Sequence, residues 1–176
     1  MHRSTSVFEL HGCSFLPDLS DGFMRILSVC FLLFLPGLVL AGDSWPEYRG
    51  PSGDGHATDA DLPDKIDDGV VQWKTAIHGK GWSSPVVWGK QIWLTTATED
   101  GAELSVLCID RTSGNVIHDR VLVENESPAF CHPMNSYATP TPVIDQGKVY
   151  VHFGTYLTAC LDTATCEEIW ARRDLQ

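Results

Sequence analysis

The hydrophobic and polar positions between residues 82 and 175 form eight short apolar runs separated by turn residues. In chain order the runs cover about 83–87, 91–96, 104–110, 115–122, 139–144, 148–153, 157–162 and 167–172. They are rich in Val, Ile, Thr, Trp and Tyr, which pleated strands favour. Gly in the connections 88–90 and 145–148 supplies the positive φ of a tight hairpin. The pattern predicts eight β-strands joined mostly by short turns.

The eight predicted strands form two copies of one four-stranded unit. SPVV at 84–87 recurs as TPVI at 141–144, 57 residues later. LCID at 107–110 recurs as ACLD at 159–162, 52 residues later. The two spacings differ because one loop is shorter, and loops vary between repeats more than strands do. A four-stranded antiparallel unit that repeats at this interval is typical of a β-propeller blade, so we predict an all-β chain.

The first 41 residues predict an export signal rather than part of the fold. Residues 26–40 carry no charge, Arg25 precedes them, and the run ends at Ala41 in a small-residue pattern similar to an A-x-A cleavage site. This order is typical of a secretory signal peptide, expected to be helical. Met24 is an alternative start, and an uncleaved membrane anchor is the alternative to cleavage, although a spanning helix usually needs about 20 apolar residues. We expect a periplasmic or extracellular chain that contacts a membrane only through an uncleaved signal.

Composition and charge narrow the classes of function. The 176 residues carry 23 acids against 12 Lys plus Arg, a formal net charge of −11, whereas a nucleic-acid partner needs a basic face. Much of the negative charge lies in the segment 42–69, which we expect to be an irregular lead-in. Its acids lack the order of an EF-hand loop. A solvated acidic segment is therefore favoured over a Ca²⁺ site.

Three stretches of the chain resemble one known family. Residues 107–117 (LCIDRTSGNVI) and 159–170 (ACLDTATCEEIW) resemble the blade motif L-x-A-L-D-x-x-T-G-x-x-x-W of pyrroloquinoline-quinone-like (PQQ-like) repeats. Residues 45–55 (WPEYRGPSGDG) resemble the W-P-x-F-R-G-P-x-G-x-G opening of exported bacterial propellers. The chain is thus similar to the propeller lipoprotein of the outer-membrane β-barrel assembly machinery and to quinoprotein dehydrogenase propellers. Cys166 departs from the family's turn Gly, and His118 from its preferred Trp.

The resemblance implies a ring of blades of which this chain holds part. A propeller has about four to eight blades, so two blades, at 82–122 and 137–175, imply an N-terminal fragment. Trp73 begins a third, partial copy, and in such rings the N-terminal strand often completes the last blade. We therefore expect residues 70–176 to form a partial PQQ-like propeller with 70–76 as its closing strand.

The loop between the two predicted blades is the most distinctive in the chain. Its candidate binding residues are His132, Asn135, Ser136 and Tyr137. A histidine there could act as a base or metal ligand, and the polar side chains could face a ligand at the propeller mouth. Alternatively, Asn135 and Ser136 hold the loop through side-chain to backbone hydrogen bonds. No triad order, phosphate loop or His cluster accompanies these residues, so we predict no catalytic, cofactor-binding or metal-ligating residue.

Four cysteines follow the predicted signal peptide. Cys108 and Cys160 occupy the same strand position in the two units, where a free Cys packs as a small hydrophobe. Cys131 and Cys166 are a candidate disulfide, because an exported chain with an even number of Cys permits one. Sequence spacing alone does not place these two residues near each other.

Three functions remain open at this point, and whether the protein is an enzyme is uncertain. The missing catalytic set favours a non-catalytic exported scaffold that binds a protein or polymer partner through the propeller face, without a cofactor. The resemblance also permits an N-terminal fragment of a PQQ-dependent quinoprotein dehydrogenase, with PQQ and Ca²⁺ on the propeller axis, although the adjacent Cys pair of such enzymes is missing here. The extracellular sensor part of a membrane signalling protein is the third. A shared fold does not choose among these functions.

Overall fold

The computed structural model describes residues 44–57 and 63–175, so the predicted signal peptide at 1–41 lies outside the described residues. These residues contain eight strands and no helix. The strands are β1 (Val86–Trp88), β2 (Gln91–Ala97), β3 (Glu103–Asp110), β4 (Val116–Glu124), β5 (Val143–Asp145), β6 (Lys148–His152), β7 (Thr158–Asp162) and β8 (Glu168–Arg172). They form two antiparallel four-stranded sheets: sheet 1, in the order β1-β2-β3-β4, and sheet 2, in the order β5-β6-β7-β8. The prediction of an all-β chain with two four-stranded units is confirmed.

The first strand of each sheet is shorter than the apolar pattern predicts. The predicted runs begin at 83 and 139, whereas β1 and β5 begin directly after Pro85 and Pro142. Proline has no N–H to donate to a β-ladder. The residues before these prolines bind each other instead, since the backbone N–H of Ser84 donates to Thr141 Oγ1 over 3.0 Å.

The β3–β4 and β7–β8 turns have the same hydrogen bonds. In sheet 1, Asp110 Oδ1 accepts the backbone N–H groups of Thr112 and Ser113 over 3.0 and 2.7 Å. In sheet 2, Asp162 Oδ1 likewise accepts the N–H groups of the residues two and three positions later, over 2.8 and 3.0 Å. These backbone bonds, Ser113 first in one turn and Thr165 first in the other, hold the pKa of both carboxyl groups below the usual range. Each Asp therefore has a structural role as the cap of its turn.

The two sheets pack face to face on a shared apolar core. Its largest fully buried side chains include Trp93 and Leu104 of sheet 1 and Leu161 of sheet 2. Hydrogen bonds also cross between the sheets. Gln91 Nε2 donates to the backbone oxygen of Thr163 over 2.8 Å, and the Arg120 guanidinium donates to the backbone oxygen of Cys166.

Residues 71–80 run along the face of sheet 1 that points away from sheet 2. Trp73 Nε1 donates to the backbone oxygen of Arg111 over 2.9 Å. His78 Nε2 lies 3.0 Å from Asp119 Oδ1, and Lys80 forms an isolated antiparallel bridge with Ala97. Closure of a ring by residues 70–76 stays a prediction.

The start of the lead-in joins the first strands of the two sheets, β1 and β5. Trp45 exchanges two backbone hydrogen bonds of 2.8 Å with Val87 of β1, and the backbone oxygen of Pro46 accepts the N–H of Ile144 in β5 over 2.8 Å. The ring of Trp45 then packs against Gly50, where a Cβ would lie 2.7 Å from three ring atoms. The WPEYRG segment therefore folds onto β1 and β5, while described residues 63–70 are exposed.

Candidate functional site

The strand order places the candidate residues at one edge of the two sheets. In an antiparallel meander, successive connections alternate between the two ends of the strands, and each end forms one edge of the stacked sheets. The β2–β3, β4–β5 and β6–β7 connections therefore share one edge, and the β1–β2, β3–β4 and β7–β8 turns lie at the opposite one. His132, Asn135, Ser136 and Tyr137 all belong to the long β4–β5 connection. We call the first of these edges the loop edge.

A cleft of about 440 Å³ opens at the loop edge between the β4–β5 connection and the β6–β7 turn. All four candidate residues line it, together with Ala129, Phe130, Cys131, Thr139, Pro140, Phe153, Gly154, Thr155 and Tyr156. A smaller hollow of about 90 Å³ adjoins it and is also lined by the four candidates, with Lys80 and Glu99 on its far side. The structure thus brings the four predicted residues together at one concave surface.

Asn135 and Ser136 hold the loop in shape. The Ser136 side chain is nearly buried, at 7% exposure; its hydroxyl donates to the backbone oxygen of Lys80 over 2.7 Å and accepts the N–H of Ala138 over 3.1 Å. Asn135 Oδ1 accepts a hydrogen bond from the Thr139 hydroxyl. The Ser136 bonds are of the side-chain to backbone kind that the structural alternative expects, whereas the Asn135 side chain bonds to another side chain of the loop.

Two tyrosines clamp the other end of the loop. The Tyr137 hydroxyl donates to the backbone oxygen of Ala129 over 2.7 Å, and the Tyr156 hydroxyl accepts the N–H of the same residue over 2.7 Å. Their ring centroids lie 6.3 Å apart at an angle of 55°. Desolvation, with a smaller contribution from the Cys131 thiol, raises the pKa of Tyr137. Both hydroxyls therefore position the segment that precedes Phe130.

His132 is exposed and shapes the tip of the loop. Its Nδ1 accepts the backbone N–H of Met134 over 3.1 Å, and its backbone oxygen accepts the N–H of Asn135 over 2.8 Å. Since Nδ1 is the acceptor, the neutral ring carries its proton on Nε2. In the described parts of the chain, no group of three or more His, Cys, Asp or Glu side chains is placed to hold a metal ion.

The sequence reasoning missed two apolar residues of the same loop. Phe130 is 87% exposed and Met134 is 80% exposed, on either side of His132. Single exposed apolar residues are ordinary, but two at the tip of one loop beside a cleft are typical of a contact surface. The available signal was that these residues lie outside both repeats, so blade packing does not explain them.

The structure does not bring the candidate disulfide partners together. Cys131 lies in the β4–β5 connection at the loop edge, whereas Cys166 lies in the β7–β8 turn at the opposite edge. Cys108, Cys131, Cys160 and Cys166 all have free thiols. Cys108 and Cys160 are buried within their strands, as the repeat alignment led us to expect.

The described residues thus form an all-β protein of two stacked antiparallel sheets with a cleft at the loop edge. Comparison with protein-family models gave no match, and a search of curated proteins gave no similar protein. Across the described residues, no helix has the length and apolar character needed to cross a bilayer.

Proposed function

We propose that the chain is part of an exported PQQ-like β-propeller that acts as a non-catalytic binding protein, with a protein or polymer partner docking at the loop edge. The observation that carries the binding function is the pair of exposed apolar side chains, Phe130 and Met134, beside the 440 Å³ cleft. Such residues cost solubility unless a partner covers them.

The far face of sheet 2 supports the propeller part of the proposal. Trp93 and His118 stack at 6.0 Å on the face of sheet 1 that sheet 2 covers, and Trp93 is fully buried there. Tyr150 and Trp170 occupy the equivalent repeat positions of sheet 2 and pair at 6.3 Å. Trp170 is nevertheless 42% exposed. A further sheet stacked on sheet 2 would cover this pair as sheet 2 covers the first.

The use of the polar groups at the loop edge supports binding rather than catalysis. The hydroxyls of Ser136, Tyr137 and Tyr156 all form hydrogen bonds to the backbone of this edge. Groups that fix a loop in one conformation lower the entropic cost of binding a partner. No contact in the described residues favours the alternatives of a quinoprotein dehydrogenase or a signalling sensor, and both stay predictions.

A selection experiment tests the binding function. A displayed random-peptide library and a panel of soluble polysaccharides are selected on the immobilised chain, and the affinities of the selected ligands are measured. We expect Phe130→Ser combined with Met134→Ser to weaken binding about tenfold or more, because central apolar anchors dominate interfaces. Ile66→Ser is the matched control, since Ile66 is also 87% exposed but lies in the lead-in.

Two outcomes would contradict the proposal. Ligands that bind the double variant as well as the wild type would place the binding surface elsewhere. Stoichiometric uptake of PQQ with Ca²⁺, followed by dye reduction in the presence of an alcohol, would favour the quinoprotein alternative.

A further inference from the structure

The two equivalent turns differ at one residue. In the β3–β4 turn, Gly114 has a φ of 75°. A Cβ there would lie 2.6 Å from the Trp73 ring. In the β7–β8 turn, the same position is held by Cys166, whose φ is 59°. Non-glycine residues are strained in this left-handed region. The β7–β8 turn therefore has a strained backbone at Cys166 and carries a thiol where the β3–β4 turn has only the hydrogen of Gly114.

The surroundings of this thiol are set by hydrogen bonds from sheet 1. Gln91 and the Arg120 guanidinium bind the backbone oxygens of Thr163 and Cys166, and so seat the β7–β8 turn on sheet 1. Directly paired residues of neighbouring strands share a face. The register pairs Trp93 with Cys108 and Cys108 with His118. Gln91 and Arg120 lie two positions from Trp93 and His118, so they share that face with Cys108.

Cys108 lies between Gln91 and Arg120 on this face. Its side chain therefore projects toward the β7–β8 turn, which these two residues anchor and which carries Cys166. Both side chains belong to the same core cluster, with exposures of 0% and 3%. Burial raises the pKa of Cys108 to about 12, and negative charge on Cys166 adds to the rise. Both thiols therefore lie in the core that the two sheets share, and Cys108 is not ionised at neutral pH.

We propose that Cys108 and Cys166 form a disulfide that links the two sheets when the chain folds in the presence of a disulfide oxidant. The oxidant is a small-molecule or protein disulfide. The Cys108 and Cys166 thiols lose two protons and two electrons and form one S–S bond, while the oxidant disulfide is reduced to two thiols. Only a thiolate attacks a disulfide. Since burial suppresses the Cys108 thiolate, exchange takes place before the sheets close.

The other two cysteines are poorer partners for Cys166. Cys160 is paired with Tyr150 and Trp170, on the face of sheet 2 that points away from sheet 1. Cys131 lies at the loop edge, whereas the β7–β8 turn lies at the opposite edge. A disulfide needs its two Cα atoms within about 7 Å. The inference concerns packing alone and does not depend on the binding function proposed above.

Peptide mapping of the full chain tests the proposal. The chain is refolded from denaturant in a reduced and oxidised glutathione buffer, alkylated in denaturant without reduction, digested, and analysed by mass spectrometry. We expect a linked pair of peptides containing Cys108 and Cys166, two hydrogen atoms lighter than the separate peptides. The link should survive Cys160→Ser and Cys131→Ser, which are the matched controls, and should be lost in Cys166→Gly.

Two readouts on the wild-type chain keep the test independent of variant folding. Reduction of the oxidatively refolded protein should lower its melting temperature, whereas the same reductant should not change the melting temperature of Cys166→Gly. Full alkylation of Cys108, Cys131, Cys160 and Cys166 after oxidative refolding would overturn the proposal. A Cys131–Cys166 link would also overturn it and restore the pairing considered from the sequence.

Discussion

Replacement of Gly114 by alanine tests whether the segment 71–80 is locked onto sheet 1. At a φ of 75°, an L-residue costs about 1–2 kcal/mol. The added Cβ would also meet three Trp73 ring atoms at 2.6–2.8 Å. The ring cannot swing away freely, because its Nε1 donates to the backbone oxygen of Arg111 over 2.9 Å. Overpacking of this kind costs a further 1–3 kcal/mol or so. We expect Gly114→Ala to lower the free energy of unfolding by about 2–5 kcal/mol.

Gly89→Ala is the matched control for this substitution. Gly89 closes the β1–β2 turn at a φ of 57°, and a Cβ there would meet nothing within 4 Å. Only the backbone cost of about 1–2 kcal/mol applies to it. Urea unfolding followed by tryptophan fluorescence gives both free energies.

The difference between the two alanine variants isolates the Trp73 contact. A double-mutant cycle with Trp73→Ala should then give a coupling energy, because the clash disappears when the ring is removed. Equal destabilisation by Gly114→Ala and Gly89→Ala, together with zero coupling, would refute the packing of residues 71–80 on this turn.

Three further predictions follow from the same contacts. Hydrogen bonds depress the pKa of Asp110 and Asp162 in the folded chain, so their stabilisation is present above the ordinary carboxyl pKa of about 4 and lost as the pH falls through the folded values. The melting temperature should drop on acidification, less steeply in Asp162→Asn than in the wild type; equal slopes would contradict this. Trp170→Glu should reduce self-association of the 176-residue chain in sedimentation velocity, since Trp170 is exposed on β8, the outer strand of sheet 2, which pairs with a strand on one side only. Trp82→Glu, at an exposed site elsewhere, is its control, and an equal effect of both would count against that surface. Ser136→Ala should cost about 1–3 kcal/mol in urea unfolding, because the backbone oxygen of Lys80 and the N–H of Ala138 lose a buried partner; an unchanged midpoint would show that water replaces the hydroxyl.

The strands could be predicted from the sequence because their signals are local. The alternation of apolar and polar residues, the β-branched residues and the Gly-containing turns all act within a few positions. The two four-stranded units also share a sequence pattern, so the prediction of each supports that of the other. β1 and β5 are shorter than their apolar runs predict, because Pro85 and Pro142 have no N–H to donate to the ladder and the apolar pattern alone does not take this into account. The positions of 71–80 and of Trp45 depend on contacts with distant residues, which no local signal encodes.

The candidate site could be predicted in part for the same reason. His132 through Tyr137 are neighbours in sequence, so any loop conformation keeps them together. Tyr156 and Gly154 reach the cleft from sheet 2, and only the stacking of the sheets brings them there. Phe130 and Met134 carry no polar group that marks them in the sequence, whereas a binding surface also needs apolar anchors.

The cysteine positions show where topology could have corrected the sequence reasoning. Successive connections of an antiparallel meander alternate between the two edges of the sheet. Counting predicted strands therefore puts Cys131, after the fourth strand, at one edge and Cys166, after the seventh, at the other. The count does not reveal which residue of sheet 1 lies beneath Cys166, because this depends on how the two sheets stack.

We expect the two departures from the repeat motif, His118 and Cys166, to compensate each other, because they occupy the positions equivalent to Trp73 and Gly114. Trp73 requires glycine at position 114, since a Cβ there would overlap the ring. At the equivalent positions of the next repeat, His118 supplies a smaller ring and Cys166 a larger turn residue. We expect His118→Trp to be strongly destabilising in the wild-type background and much less so with Cys166→Gly, which restores the Trp–Gly combination. Urea unfolding of the four chains of this cycle gives the coupling energy. Additive effects of the two substitutions would show that the positions are independent.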